Sequence, residues 1–398
     1  MMNKIFHYCQ GESHKSTDKA CQDYAYAESS DSLSIAIVCD GHGGERYFRS
    51  QYGSQFAVEI TKDAIKEFVE LTPKSTLNTS DKSSVFDGAP FTSFVETTAN
   101  EAQLESKAHQ SLKQLLSSII SQWNNRIAKD ALGRDLTEWE ETYVEQKYKD
   151  EFLAKRKDET ATFEKTYGCT LMAYVQTPRY WFAFHIGDGK CIMMQNENGN
   201  LVCSQPIPWD ERCFLNKTTS LCDTNALEEF RYCYQGDGTF PLAVFLGSDG
   251  MDDSYGDGEN LDNFYIELYK IILKKGYDKA LLELKKYLPE ISRVGSKDDM
   301  SVASIYNNDN IKDTFILLTD YQMDKLKCQK EETEKKIQAL NSKKEQFGEV
   351  DILSNAEKIN YNYTCEDIKK LESKMGRINK KFPGLRREIT KFKNRFND

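Results

Sequence analysis

Two apolar runs separated by a three-residue turn constrain the fold of this chain more than any other sequence feature. Residues 169–176 (CTLMAYVQ) and 180–186 (YWFAFHI) flank Thr-Pro-Arg, which is typical of a β-hairpin. Other short apolar runs that predict strands lie at 33–39, 191–194, 201–204, 240–247 and 300–306, with 314–318 as a further candidate. Strands outnumber helices, and hairpins pair strands antiparallel, so we predict a layered α+β sandwich rather than a doubly wound parallel sheet.

Long polar stretches interrupt this pattern in the middle of the chain. Residues 72–100 are rich in Ser, Thr, Asp and Pro, which is typical of a long surface loop. Residues 134–165 are highly charged, and we predict a solvated helical excursion there. We therefore predict one domain over 1–318 that carries a long insert at about 72–165.

The composition changes again beyond residue 318, where apolar residues follow a heptad pattern. They recur at three- and four-residue steps: Ile368, Leu371, Met375, Ile378, Phe382, Leu385, Ile389, Phe392 and Phe396. Pro383-Gly384 falls inside this seam, so we expect two helical pieces with a kink or turn between them. Residues 319–398 should form a helical hairpin or small bundle, packed on the chain itself or used for a protein partner or self-association.

Charge and cysteine content narrow the functional classes. The formal net charge of −10 disfavours nucleic acid and anionic membranes as partners of the whole protein. The 11 cysteines form no CxxC pair and lie near no histidine cluster, so we interpret them as reduced thiols of a cytoplasmic protein. The N-terminus lacks the apolar region of a signal peptide, and no apolar run is long enough to span a membrane.

Four acidic motifs follow or precede strand-like runs. They are CQD ending at Asp23, DGHGG beginning at Asp40, SDG around Asp249 and SKDD around Asp298. Carboxylates that converge at one edge of a sandwich repel each other unless cations neutralise them. An all-oxygen ligand set favours Mg²⁺ or Mn²⁺ over Zn²⁺. Gly41 adds a backbone carbonyl as a further candidate ligand, because a residue without a side chain lets a metal approach the backbone.

The order of these motifs resembles the type-2C (PPM) family of metal-dependent Ser/Thr protein phosphatases, with this chain as a divergent, bacterial-like member. The resemblance covers about residues 5–306 and is carried by Gly11–Asp23, VCDGHGG (38–44), GCT (168–170), GDGK (187–190), LGSDGMDD (246–253) and GSKDDMS (295–301). It implies an α-β-β-α sandwich with a C-terminal helical extension. It also implies hydrolysis of phosphoserine and phosphothreonine in protein substrates by water activated between two metal ions, without a phospho-enzyme.

The resemblance also implies a metal ligand set. Asp40 would bridge two Mg²⁺ or Mn²⁺ ions, and the Gly41 carbonyl would complete one coordination shell. Asp23 would act mainly through metal-bound water, while Asp249 and Asp298 would hold the other ion.

Further roles follow from the same resemblance. His42 would be the general acid that protonates the leaving alkoxide. Asp188 and Asp253 occupy positions that can bind a weaker third ion in the family.

Three positions depart from the family pattern. Five residues before Asp23, where the family often has a phosphate-binding Arg, this chain has Asp18. The candidate replacements are His14, Arg46 and Arg49, with Lys15 ranked after them, and each also fits a plain surface or packing role. Asp299 stands where an Asn is usual, and Gln22 replaces an acidic residue, so metal preference could differ.

The sequence leaves two further functions open. The chain could be a pseudophosphatase or regulatory binding module that acts through its insert and C-terminal helices. It could also be a scaffold in which the C-terminal helices matter most. Retention of Asp23, Asp40, Asp249, Asp298 and His42 favours the active enzyme.

Overall fold

The computed structural model describes residues 2–73, 76–77, 107–207, 209–213, 217–236, 238–256, 258–348 and 354–396. Within them, strands form two five-stranded sheets. The first sheet has the order β1 (Met2–Cys9), β10 (Met300–Asn307), β9 (Ala243–Gly247), β6 (Lys190–Glu197) and β7 (Asn200–Ser204). The second has the order β2 (Tyr24–Ser29), β3 (Ser34–Cys39), β4 (Leu171–Gln176), β5 (Trp181–Ile186) and β8 (Arg231–Gln235).

The sheets are antiparallel and stack on one another, as β3 illustrates. Its neighbours β2 and β4 both run antiparallel to it, and all six of its residues are buried. Ile35 and Ile37 belong to a core shared with flanking helices, whereas Ala36 and Val38 belong to a core shared with the first sheet. A strand covered on both faces is apolar throughout, which explains the continuous run at 33–39. The predicted layered α-β-β-α sandwich is confirmed.

Helices cover the outer faces of the sheets and form the C-terminal tail. They are α1 (Glu12–Lys15), α2 (Ser50–Leu71), α3 (Lys107–Gly133), α4 (Glu138–Tyr143), α5 (Gln146–Lys155), α6 (Ala226–Glu229), α7 (Asp249–Tyr255), α8 (Gly258–Lys275), α9 (Tyr277–Val294), α10 (Ile311–Gln346) and α11 (Asn355–Asn394). None of the helices in the described ranges is both long enough and apolar enough to cross a membrane. All eleven cysteines lie among the described residues as thiols rather than disulfides.

The described part of the insert packs closely against the rest of the sandwich. Most of the predicted surface loop, residues 78–100, lies outside the described residues. The Trp123 indole on α3 is buried and donates to the Gly53 carbonyl of α2 at 3.0 Å. The prediction that 134–165 is a solvated excursion is wrong, because Glu140, Phe152 and Phe163 are buried. A charged stretch can still be buried where its charges are paired, as Glu140 is.

The tail forms a helical hairpin of α10 and α11, in which the Phe315 and Phe392 rings stack with their centroids 3.9 Å apart. Two predictions here are wrong. Residues 314–318 belong to α10 rather than to a strand, and α11 runs without a break through Pro383. Proline removes one helical hydrogen bond, but Pro383 is exposed, so water can bond the carbonyl that it frees.

The chain divides into two compact units. The first holds Met1–Asn196 and Val202–Asp309, and the second holds Glu197–Leu201 and Asn310–Asp398. The division falls about nine residues before the expected boundary at 318, because α10 begins at Ile311 directly after the last strand.

Candidate active site

Sheet topology brings the acidic motifs to one edge of the sandwich. β3 and β5 both run antiparallel to β4, so Asp40 after β3 and Asp188 after β5 lie at the same end of the second sheet. In the first sheet β9 runs antiparallel to β10, so Asp249 after β9 lies beside Asp298, which precedes β10. Oxygens of Asp40, Asp188 and Asp249 all lie within 4.8 Å of one another.

This clustering changes the ionisation of the carboxyl groups. Burial raises the pKa of Asp40 well above its usual range, and the negative charges of Asp249 and Asp23 add to the effect. Burial, with the charges of Asp188 and Asp298, likewise raises the pKa of Asp249 to about 7. Carboxylates this close ionise together only when a cation balances them. Because the donors are all oxygen, the cluster fits a hard divalent cation such as Mg²⁺ or Mn²⁺.

Asp23, whose charge also acts on Asp40, is a further carboxylate that favours a bound cation. It is 2% exposed, and no group among the described residues donates a well-formed hydrogen bond to either carboxylate oxygen. Burial and the negative charge of Asp299 raise the pKa of Asp23 well above its usual range. The Ser248 and Ser301 hydroxyls offset this rise only in part. A buried carboxylate without well-formed hydrogen bonds is costly, and nearby cations or the water that they bind would compensate it.

Gly41 sits where only a glycine fits. A Cβ atom at this position would lie 2.7 Å from the Gln22 carbonyl oxygen and 3.0 Å from Cβ of Ser50. Gly41 also forms a β-bridge with Cys169, which fixes the backbone directly after Asp40. This position brings the Gly41 backbone close to the carboxylate cluster, and its role as a metal ligand stays a prediction.

Asp298 and Asp253 lie at the exposed rim of the cluster. The Asp298 carboxylate accepts the backbone N–H of Asp299 at 2.8 Å, and its charge contributes to the raised pKa values of Asp249 and Asp253. Both side chains can therefore approach a bound ion from solvent. Asp188, predicted for a third ion, instead has its carboxylate in the tight cluster with Asp40 and Asp249.

Asp299, which stands where the family usually has an Asn, forms hydrogen bonds with other groups of the protein. It accepts the backbone N–H groups of Gly11 at 2.6 Å and Gln22 at 2.5 Å, and it bonds Nδ1 of His14 at 2.9 Å. Burial opposes its ionisation, but these bonds outweigh burial and lower the pKa of Asp299. Asp299 therefore ties the N-terminal segment to the Asp298 loop, and His14 is engaged in that bond.

Arg49 cannot reach a substrate in this structure, so its prediction as a phosphate-binding residue is wrong. Its side chain is fully buried, and Nε donates to Glu140 at 2.7 Å while Nη2 donates to the second Glu140 oxygen at 3.1 Å. The guanidinium also donates to the Tyr167 hydroxyl at 3.2 Å and lies over the Phe152 ring. Arg49 instead joins α2 to the insert, while Arg46 remains exposed beside Tyr47.

Lys19 is a functional candidate that the sequence analysis missed. Its ammonium donates to the Gly43 carbonyl in the DGHGG turn at 2.8 Å. Burial lowers the pKa of Lys19, whereas the carboxylates of Asp299 and Asp298 favour its charged form. Lys19 directly follows Asp18, the position at which an Arg was expected, so allowing a shift of one residue would have found it.

His42 lies at the edge of the cluster and is held on two sides. Its Nε2 bonds the Ser220 hydroxyl at 2.7 Å, and its ring meets the Tyr47 ring edge-on with centroids 4.8 Å apart. Burial lowers the pKa of His42 to about 4, so the imidazole is neutral at pH 7. A phosphate dianion beside the ring would favour the protonated form.

A buried network that the sequence did not reveal orients the turn before Asp188. The Gly187 N–H donates to the Thr219 hydroxyl at 2.9 Å, and Arg231 donates to the Gly187 carbonyl at 2.7 Å. Gly187 has a φ of +123°, a conformation that favours glycine. Arg231 also bonds Nδ1 of the buried His185 at 3.1 Å, so this histidine supports the network.

Comparison with protein-family models identifies one family. Residues 10–288 match the family model described as Protein phosphatase 2C. No curated protein sequence matches this chain.

Three solved structures resemble this chain at low identity. The catalytic domain of the serine/threonine protein phosphatase PstP, in complex with two manganese ions, is 15% identical over 77% of this chain and 97% of its own, with a TM-score of 0.39. The Mycobacterium tuberculosis phosphatase PstP/Ppp is 14% identical over 77% and 98%, with a TM-score of 0.40. The S. agalactiae serine/threonine phosphatase is 14% identical over 77% and 99%, with a TM-score of 0.40.

Proposed function

Because this chain belongs to the protein phosphatase 2C family, we propose that it hydrolyses phosphoserine and phosphothreonine in proteins with the help of two Mg²⁺ or Mn²⁺ ions. The observation that carries this proposal is the cluster of Asp40, Asp188 and Asp249 oxygens within 4.8 Å of one another. Asp23 behind the cluster, with Asp298 and the Gly41 carbonyl beside it, would complete the binding of the ions. Asp253 at the rim is the candidate for a further ion.

The expected cations supply the chemistry that this chain's side chains lack. When bound, they provide a water that is deprotonated near neutral pH, and they neutralise charge on the phosphoryl oxygens. The protein holds the carboxylates at fixed strand ends, which positions reactants before the reaction begins.

The phosphoryl group also needs a positively charged donor, and we assign that role to Lys19. An ammonium group has three donors, and among the described residues the Gly43 carbonyl takes one of them. The remaining donors can bind phosphoryl oxygens beside Asp40 and His42. Lys19 thereby replaces the missing Arg as a point charge rather than as a bidentate fork.

His42 is the proposed acid, because a serine alkoxide is a poor leaving group without a proton. Ser220 holds the ring by its Nε2 atom, and the Ser220 hydroxyl in turn donates to the Cys169 carbonyl at 3.0 Å. This bond keeps the imidazole in one orientation until a phosphate dianion favours its protonation.

The function is tested by phosphate release from a phosphoserine peptide by the purified full-length protein. We expect turnover with Mn²⁺ or Mg²⁺, loss of turnover after chelation, and recovery on re-addition of either ion but not with Ca²⁺. A folded protein that binds Mn²⁺ yet releases no phosphate from any peptide would instead indicate a binding module that acts through its insert and C-terminal helices.

Substituting His42 should affect substrates according to their leaving group. We expect His42→Gln to slow a phosphoserine peptide by about 100-fold or more, the lower range for loss of a general acid. p-Nitrophenyl phosphate should slow far less, since nitrophenolate leaves without a proton. Steady-state kinetics on both substrates provide the measurement, and equal losses would show that His42 has a structural role instead.

Substituting Lys19 should weaken phosphate binding. We expect Lys19→Gln to lower kcat/KM for a phosphoserine peptide by about 10-fold or more, since a charged hydrogen bond contributes roughly 1.5–3 kcal/mol. Inorganic phosphate should also inhibit the variant less. Lys15→Gln, four residues earlier and paired with Glu12, is the matched control and should change neither value. Equal phosphate inhibition of Lys19→Gln and wild type would exclude Lys19 from the phosphate site.

The compartment and partners follow as part of the same proposal. Eleven thiols without a disulfide suit a reducing compartment, so we place the activity in the cytoplasm. The substrate is a phosphoprotein, and the helical hairpin of α10 and α11 is the candidate surface for another protein.

A further inference from the structure

A cleft beside Lys19, which we call the Trp139 cleft, is not used by the chemistry described above. It encloses about 270 Å³ and is lined chiefly by Gln10, Lys19, Phe48, Gln51, Tyr52 and Trp139. Three parts of the first unit build it: the segment before Asp23, the beginning of α2, and α4 of the insert. It is smaller than the roughly 300–1,000 Å³ of typical small-molecule sites, so its size suits one side chain rather than a cofactor.

The aromatic walls of the cleft are held in place by their own contacts. The Trp139 indole donates to the Thr17 carbonyl at 3.2 Å, which ties the insert to the N-terminal segment. The Arg134 guanidinium lies over the Tyr52 ring, with its Cζ atom 4.1 Å from the ring centroid. The Phe48 ring packs on the Phe152 ring. Fixed aromatic rings bind an apolar group at low entropic cost, because little side-chain freedom remains to be lost.

Lys19 and Gln10 place this cleft next to the phosphoryl position. The Lys19 ammonium bonds the carbonyl of Gly43, which directly follows His42, and the same side chain lines the cleft. Gln10 precedes Gly11, whose backbone N–H bonds Asp299 at 2.6 Å, and the Gln10 amide donates to the Lys19 carbonyl. A peptide whose phosphoserine lies at Asp40 therefore has neighbouring residues within reach of the cleft.

We propose that the Trp139 cleft receives an uncharged apolar or aromatic side chain flanking the phosphoserine of the substrate. This inference rests on the proposed phosphatase function and names a preference within it. The rings supply the apolar contact, and Gln51 offers an amide to the peptide backbone. Asp18 and Lys19 both line the cleft with opposite charges, so neither an acidic nor a basic side chain gains a net attraction there. The insert would thus select substrates through Trp139.

A peptide panel with the full-length protein tests this. Phosphoserine peptides in an Ala/Gly background carry one Phe at each position from three before to three after the phosphoserine. We expect one position to raise kcat/KM by about 10-fold or more over Ala, as burial of one apolar group predicts. Trp139→Ala should abolish this preference while p-nitrophenyl phosphate hydrolysis stays near wild type. Wild-type turnover without any positional preference, or a preference retained in Trp139→Ala, would overturn the inference.

Two further variants separate recognition from folding. Ala20→Phe places a ring at the exposed cleft wall without removing a contact, and it should abolish the preference as Trp139→Ala does. Tyr287→Ala removes a 46% exposed ring on α9 and should keep the preference. A preference that survives the filled cleft overturns the inference even if Trp139→Ala does not fold. Failure to hydrolyse any substrate overturns the phosphatase proposal as well, whereas turnover without preference overturns only this one.

Discussion

Replacing Asp40 with Asn is expected to lower Mn²⁺-dependent hydrolysis by at least about 100-fold. Metal ions stabilise the transition state by several kcal/mol, and each 1.36 kcal/mol corresponds to tenfold in rate. Asp40 is central to the carboxylate cluster, so its loss should weaken ion binding most directly. Kinetics on p-nitrophenyl phosphate and isothermal titration with Mn²⁺ provide the two measurements.

The same substitution should leave the fold intact without added metal. The pKa of Asp40 is raised by burial and by the charges of Asp249 and Asp23, so an uncharged Asn relieves repulsion and should keep or raise the melting temperature. Mn²⁺ at 100 times its Kd should stabilise the wild type by about 2.7 kcal/mol but the variant much less. Asp278→Asn, on the exposed face of α9, is the control. Wild-type turnover by Asp40→Asn would show that the metal centre lies elsewhere.

Replacing Glu140 with Ala is expected to destabilise the first unit by about 3–5 kcal/mol. The Arg49 guanidinium, fully buried and held by both Glu140 oxygens, would lose its nearest counter-charge and keep only Asp130, 3.8 Å away. Removing one partner of a buried ion pair strands the other charge away from water. Glu140 also closes the cap of α4 by accepting the Thr137 N–H at 2.7 Å, so the insert should loosen. Urea unfolding followed by tryptophan fluorescence, to which the buried Trp123 and Trp181 contribute, measures the change.

The neighbouring residue gives a matched control. Glu141 is 61% exposed, and its carboxylate lies 3.9 Å from Lys149, so Glu141→Ala should change stability by less than about 1 kcal/mol. Because Trp139 adjoins Glu140, the Glu140→Ala protein should also lose its preference among phosphopeptides. Its turnover of p-nitrophenyl phosphate should fall less. Equal stability of the Glu140 and Glu141 variants would show that the Arg49 pair contributes nothing beyond a surface ion pair.

Sequence patterns located the central strands of both sheets and missed three strands at their edges. The central strands β3, β4, β5, β9 and β10 are covered on both faces. Their residues are therefore mostly apolar, and such apolar runs can be recognised in the sequence. β1, β2 and β8 lie at sheet edges. β1 and β2 are mostly half-buried, which weakens the apolar signal on which strand prediction depends. Asp40, Asp188 and Asp249 come just after central strands, so the sequence pattern that locates these strands also locates the three acidic residues.

The sequence by itself determined the acidic positions of the site, since Asp40 and Asp249 come after apolar strands and Gly41 marks the glycine-rich turn beside Asp40. Local pattern suffices there, because a strand and the turn after it are encoded by adjacent residues. Family resemblance supplied their expected roles.

Only the tertiary structure decided which charged groups face the site and which support the fold. Arg49 pairs with Glu140, 91 residues away, and Asp299 accepts the amide of Gly11, 288 residues away. These partners meet through sheet register and insert packing, so no local spacing distinguishes Arg49, which is buried, from Lys19, which points at the DGHGG turn. Local sequence sets where strands and turns occur, whereas the partner of a charge depends on contacts between distant segments.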